Sequence, residues 1–403
     1  MSQRQAVTNK LAAAYRRGTK KERSQILDQV VGLTGWHRDY ARAQLRQAGT
    51  VRVHRPRASR APLYGVRIVI ALTLTWRALR MPSGKRLAPA LAVVVPMLRA
   101  DGELDLSDEE AALLVQMSAA TIDRKLSGER ALLGLRGRSH TKPGTLLKSQ
   151  IPVRTWADWD TVVPGFIEID LVGHEGGNST GEFCSTLTMT DVATGWTLKR
   201  SVKNKAAIWV FEALTWAIER FPFPILGIDS DNGSEFINHH LLAYCEKNKI
   251  TFTRSRSGNK NDGCHVEQKN WSEVRTLVGY LRFDTEVELA LLNEIWELDE
   301  IFTNYLLPQQ KLVFKQREGS KVTKRYDRAQ TPAQRALADP TSSARSKEII
   351  EAQLNDIHPG ELSRDIADVC ARLEHLALAK APAPVRPAVN RAFNDPRQSG
   401  GFS

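Results

Sequence analysis

Cysteine is scarce. Cys184, Cys245, Cys264 and Cys370 are the only four in 403 residues, and no two form a Cys-x-x-Cys pair. That argues against a disulfide framework and a cysteine-built zinc module, and it fits a reducing compartment. Long apolar runs are also missing: YGVRIVIALTLTW and LAPALAVVVPML are too short or too interrupted to span a bilayer. The start, MSQRQAVTNKLAAAYRRG, has no apolar stretch of signal-peptide length. The expected location is the cytoplasm, in association with the nucleoid, with no membrane partner. Negative charge is what the first 150 residues lack, with 27 Lys and Arg against 11 Asp and Glu. The other 253 residues sum to −4, so the N-terminal third carries the whole net charge of +12. A charge this lopsided points to a polyanionic partner.

A chain of this length exceeds one ordinary core, and several domains are expected. Residues 1–50 predict a helix-turn-helix: apolar Ile26, Val30, Val31 and Leu33, a glycine-containing break, then a helix with Trp36, Tyr40 and Leu45. On that second helix His37, Arg38, Arg42 and Arg46 are suited to a major groove. A basic linker spans 51–62. Residues 63–135 predict a second helical, helix-turn-helix module, with Ser107 and Glu110 spaced as a capping box and Ser118 re-capping a helix that carries Arg124 and Lys125. A linker covers 136–160. Residues 161–310 alternate strands and helices as an α/β domain with a mixed five-stranded sheet. Residues 311–345 form a small basic segment with two short strands, where Lys321, Lys324 and Arg325 are expected to add phosphate contacts; 346–380 are helical, and the Pro-rich 381–403 are expected to be disordered.

Carboxylates in the α/β region carry the chemistry. Asp170 interrupts the apolar strand FIEIDLV, two residues after Glu168, and a charge there is costly unless paired or metal-bound. Asp231 lies just beyond the strand PILGI, where such sheets place their sites. Glu267 falls in the first turns of the helix opened by NDGCHVEQKN. Three carboxylates from separate elements make an oxygen-rich site for two hard divalent cations that activate a nucleophile and steady a leaving oxygen. Near them, Asp229 reads as structural, Glu235 as the acid at the start of the next helix, and His174 and His265 as structural rather than catalytic.

EIDLVGH, SDNGSEF and VEQKN, in that order, resemble the three blocks of the integrase catalytic core shared with bacterial insertion-sequence DDE transposases. Thirty-five residues separate Asp231 from Glu267, the spacing that gives the Asp-Asp-35-Glu group its name. DGCHVE departs modestly from the family's usual NGxVE by carrying Asp262 and inserting His265. The resemblance implies an RNase H-like core with Asp170, Asp231 and Glu267 as catalytic ligands of two Mg²⁺ ions, Mn²⁺ being an accepted substitute. It implies Lys269 and Asn270 as DNA contacts, and a transposase that binds terminal inverted repeats, cuts to free a 3′-OH and joins it to target DNA. Transposon-end DNA, target DNA and further copies of the chain on DNA are the partners it implies; a helper ATPase is neither required nor excluded. Two other readings share these features: a catalytically inactive, transposase-derived DNA-binding regulator, and an RNase H-type nuclease.

Overall fold

The computed structural model describes residues 3–48, 63–132, 163–230, 235–236, 239–254, 269–318 and 321–380. Both basic linkers and the Pro-rich tail lie outside the described residues. The chain divides into two units, Met1–Leu63 and Tyr64–Ser403.

The first unit is three helices, α1 (Gln3–Arg17), α2 (Lys20–Thr34) and α3 (Arg38–Gln47). Thr19 and Glu22 form a reciprocal capping box at the start of α2, with the Thr19 N–H donating to the Glu22 carboxylate at 2.6 Å. Gly35, at φ +69°, ends α2 in the left-handed region where a Cβ would be strained. Leu27 and Val30 pack against Tyr15, Ala41 and Leu45. Two expectations are corrected here. α1 is a helix the periodicity reading passed over, and Leu33 and Tyr40 are 62% and 52% exposed rather than facing the core. The buried stripe of α2 runs Leu27, Val30, Thr34, the i, i+3, i+7 set, so Leu27 takes the inward place.

The second unit begins with α4 (Val66–Ala78), α5 (Gly84–Ala100), α6 (Asp108–Val115), α7 (Ala119–Lys125) and α8 (Ser127–Leu132). The Ser107–Glu110 capping box is present, and Ser118 caps α7 by accepting from the Thr121 N–H. α5 meets α7 at Gly84, whose N–H donates to Asp123 Oδ1 at 2.8 Å. A Cβ on Gly84 would stand 2.2 Å from the Ala119 carbonyl oxygen. Backbone cannot step aside as a side chain can, so Gly84→Ala should cost about 1–3 kcal/mol. A lowered urea midpoint at unchanged slope is the expected measurement; an unmoved midpoint would contradict this contact.

Five strands follow: β1 (Phe166–Gly173), β2 (Ser185–Asp191), β3 (Thr197–Val202), β4 (Gly227–Ser230) and β5 (Thr251–Arg254), with α9 (Ala207–Arg220) and α10 (His239–Asn248) between them. Their order is β3-β2-β1-β4-β5; β1 is antiparallel to β2 and parallel to β4, which makes the sheet mixed, as expected. Glu235 and Phe236 form a turn ahead of α10, so Glu235 is not the acid of that helix's first turn as expected. Phe236 is fully buried there, inserted into the core by the turn. One apolar cluster runs from Leu72, Trp76 and Leu91 through Ile167 and Ile228 to Ile366. The helices α4–α7 therefore belong to the same apolar cluster as the sheet.

α11 (Glu286–Ile301) and the π-helical turn after it, Phe302–Leu306, lie along β3. Asn293 bonds both the N–H and the carbonyl of Ser201, and Asn304 does the same for Thr197. Edge backbone that could otherwise recruit another strand is thereby occupied. A hairpin, β6 (Leu312–Glu318) and β7 (Lys321–Tyr326), precedes α12 (Pro332–Ala338), α13 (Ala344–Asn355) and α14 (Pro359–Ala379). Among the described residues no helix is long and apolar enough to cross a membrane.

Candidate active site

β1 is central and buried because Ile167, Ile169 and Val172 commit it to the core. Asp170 sits half-buried within this strand, and its carboxylate is held at both oxygens. Oδ1 accepts from the Leu171 N–H at 2.8 Å and Oδ2 from Asn270 Nδ2 at 2.5 Å. Asn270 opens the π-helical segment Asn270–Arg275 and stands three residues after Glu267 in the sequence. On the neighbouring strand, Ser230 pairs with Ile169, and each of these two is followed in sequence by an aspartate, Asp231 and Asp170. Asp231, Glu267 and His265 lie outside the described residues.

The nearby acids divide by burial. Asp229 is buried and accepts the Thr253 hydroxyl at 2.6 Å, and Glu168, its register partner on β1, is buried beside it. His174 is fully buried with Nε2 at 2.7 Å from the Thr186 hydroxyl. Burial, helped by the Arg275 charge, pushes its imidazole down to about 3, so it stays neutral and holds the end of β1 rather than moving protons.

A buried ionic cluster lies under the Asn270 segment. Lys199 of β3 donates to Glu273 at 3.0 Å and to Asp299, which also receives Arg80 and, at 3.2 Å, the Thr303 hydroxyl. Lys269 donates to Glu273 at 2.5 Å. Burial opposes the Lys199 charge, but Asp299 and Glu273 outweigh it and raise the ammonium above its usual value. Burial likewise opposes the Asp299 charge, yet Lys199 and Arg80 hold that carboxyl down to about 2. For Lys269 burial prevails over Glu273 and its basicity falls. The structure places Lys269, expected as a DNA contact, with its side chain buried on Glu273.

None of Lys199, Glu273 and Asp299 was singled out by the sequence reading. A signal existed: Asp299 continues the buried α11 stripe of Leu292, Ile295 and Trp296, where a lone acid implies a buried partner. The other expected DNA contacts lie elsewhere. Arg38 pairs with Asp28 and Arg42 with Asp39 in the three-helix unit, while exposed Arg124 and Lys125 end α7 in the second unit.

Among the described residues no three His, Cys, Asp or Glu side chains are grouped to hold a metal. What the described part of the site offers is oxygen: the Asp170 carboxylate and, beside it, the buried Oδ1 of Asn270, which has no hydrogen-bond partner among the described residues. Such donors suit a hard divalent cation.

A mixed five-stranded sheet with an acid in its central strand, tied to a helical segment across the site, defines an RNase H-like integrase core, and residues 161–260 match the model of the integrase core domain. The chain belongs to the integrase core domain family. It is 36% identical over 333 residues to the uncharacterized protein y4rM of Sinorhizobium fredii, a match covering 81% of this chain and 93% of that one. Among solved structures it is similar to the catalytic core domain of BIV integrase, at 16% identity, 35% of this chain, 83% of that one and a TM-score of 0.25. It is also similar to the HTLV-2 integrase catalytic core domain in complex with magnesium, at 16% identity, 37% of this chain, 92% of that one and a TM-score of 0.29.

Proposed function

We propose that the protein is a DDE-type DNA transposase that binds the terminal inverted repeats of its element and performs 3′-end cleavage and strand transfer. The observation that supports this most is the Asp170–Asn270 hydrogen bond, taken with the Ile169–Ser230 pairing. The first ties β1 to the segment just after Glu267; the second sets β1 beside the strand that runs into Asp231. Asp170, Asp231 and Glu267 would hold two Mg²⁺ ions, which supply charge neutralisation for the attacking and leaving oxygens of a phosphodiester. The chain's own part is to fix the Asp170 carboxylate as a hydrogen-bond acceptor, through the Leu171 N–H and the Asn270 amide.

DNA reading falls to the helical modules. α2 and α3, joined through Gly35, and α6 and α7, joined through Ser118, are the two helix-turn-helix candidates, presenting Arg38 and Arg42, and Arg124 and Lys125. Two ends must be held together for joining, so the active form is a multimer on DNA.

The test is purified protein, Mg²⁺ and a labelled duplex carrying the element's end. Wild type should give nicked and joined products, and Glu267→Gln should lose both while binding the duplex as before. Binding by wild type without any cleavage would support a regulator instead, and cleavage confined to RNA–DNA hybrids would support a nuclease.

A further inference from the structure

We propose that the β6–β7 hairpin is a nucleic-acid-binding arm that lies along the phosphate backbone of duplex DNA. The proposal rests on the reading of this protein as one that acts on DNA, but not on its chemistry. Residues 312–326 hold five cations, Lys315, Arg317, Lys321, Lys324 and Arg325, against the single acid Glu318. They form a basic island in a stretch, 151–403, whose charges sum to −4. The register sets Lys315 directly opposite Lys324.

The apolar content points the same way. Leu312–Phe314 and Val322–Tyr326 are all exposed, Phe314 and Tyr326 at 43% and 49%, and the Arg325 guanidinium stands 5.5 Å from the Phe314 ring. A two-stranded ribbon that packs, among the described residues, mainly on itself is marginal, and ribbons of this kind fit DNA grooves. Its base is secured. Lys311 Nζ donates to the Val192 and Ala193 carbonyls at 2.7 and 2.5 Å, and Asp327 takes the Lys311 N–H and Arg335, each at 2.7 Å. That anchors the hairpin at the β2–β3 turn, beside the Ile167 end of β1 rather than the Gly173 end. A fixed base with a bare, cationic, aromatic ribbon suits a ligand of opposite charge outside the reaction centre.

The experiment uses the whole protein without divalent metal, so that a failure of catalysis cannot affect it. Surface lysines are acetylated with and without a short duplex of arbitrary sequence, and modification is read by mass spectrometry. Lys324 modification should fall several-fold with DNA. Lys324→Ala with Arg325→Ala should reduce the slope of log affinity against log salt by about 2, roughly one per lost phosphate contact. Equal labelling with an unchanged slope would overturn the proposal. So would protection of Lys324 that follows protein concentration and ignores DNA, because the hairpin would then be a contact between copies.

Discussion

Lys199→Met should lower the stability of the second unit by about 3–5 kcal/mol, the cost of breaking a buried ion pair by removing the cation that two buried acids share. The ammonium is wholly buried and serves two acids at once, Glu273 of the π-helical segment and Asp299 of α11. Methionine fills much of the same volume and supplies no charge. Glu273 keeps only Lys269 of its two cations, and Asp299 keeps Arg80 and the Thr303 hydroxyl. The urea midpoint is the measurement; a variant that unfolds with the wild type would show that the cluster contributes nothing net.

The same cluster sets an acid limit. Asp299 is held at about 2 in the folded chain, below the ordinary value near 4 for an unfolded aspartate. A carboxyl depressed by folding adds stability that is fully present above its unfolded pKa and lost as pH falls through the folded one. Wild type should therefore lose stability between about pH 4 and pH 2 more steeply than Lys199→Met, in which the depression is smaller. Parallel acid profiles would contradict this.

Asp170→Asn should reduce cleavage and joining on the order of 10³-fold, equivalent to about 4 kcal/mol in the barrier, with the fold intact. The exchange is isosteric, and the new amide oxygen can still accept the Leu171 N–H. Where Asp170 Oδ2 now accepts from Asn270, the variant would present an amide donor. Asn270 can meet it by turning its own amide, because its Oδ1 has no other partner among the described residues. Charge is lost and packing kept. Unfolding temperature without metal and affinity for the duplex should match wild type, whereas the rise in unfolding temperature produced by Mg²⁺ in wild type should shrink or vanish. Retained cleavage by Asp170→Asn would remove Asp170 from the proposed site.

What could be read from the sequence was local. The strand around Asp170 and the mixed five-stranded α/β layout were legible, because strand and helix periods are written over a few neighbouring residues. The Ser107–Glu110 capping box was legible for the same reason, since a cap is settled within one turn. Asp170 stood out as a charge inside an apolar strand, and the structure accounts for that cost through Asn270, 100 residues further along the chain. Short β5 carried too little pattern to be singled out, and α1, with its weak apolar face, was passed over.

The charge asymmetry, the order and spacing of the carboxylates, and most strands and caps depend on residues near one another in the chain, and the sequence alone shows them. Long-range packing settles the rest: the helices after residue 63 join the sheet's apolar cluster, Leu27 rather than Leu33 faces inward, and Lys269 points into the protein. It also decided that Lys199 meets Glu273 and Asp299 across 74 and 100 residues. Contacts at such separations are selected by which surfaces the whole chain buries together. A lysine reads the same in sequence whether it faces water or two buried acids, and the environment that folding builds around it makes the difference.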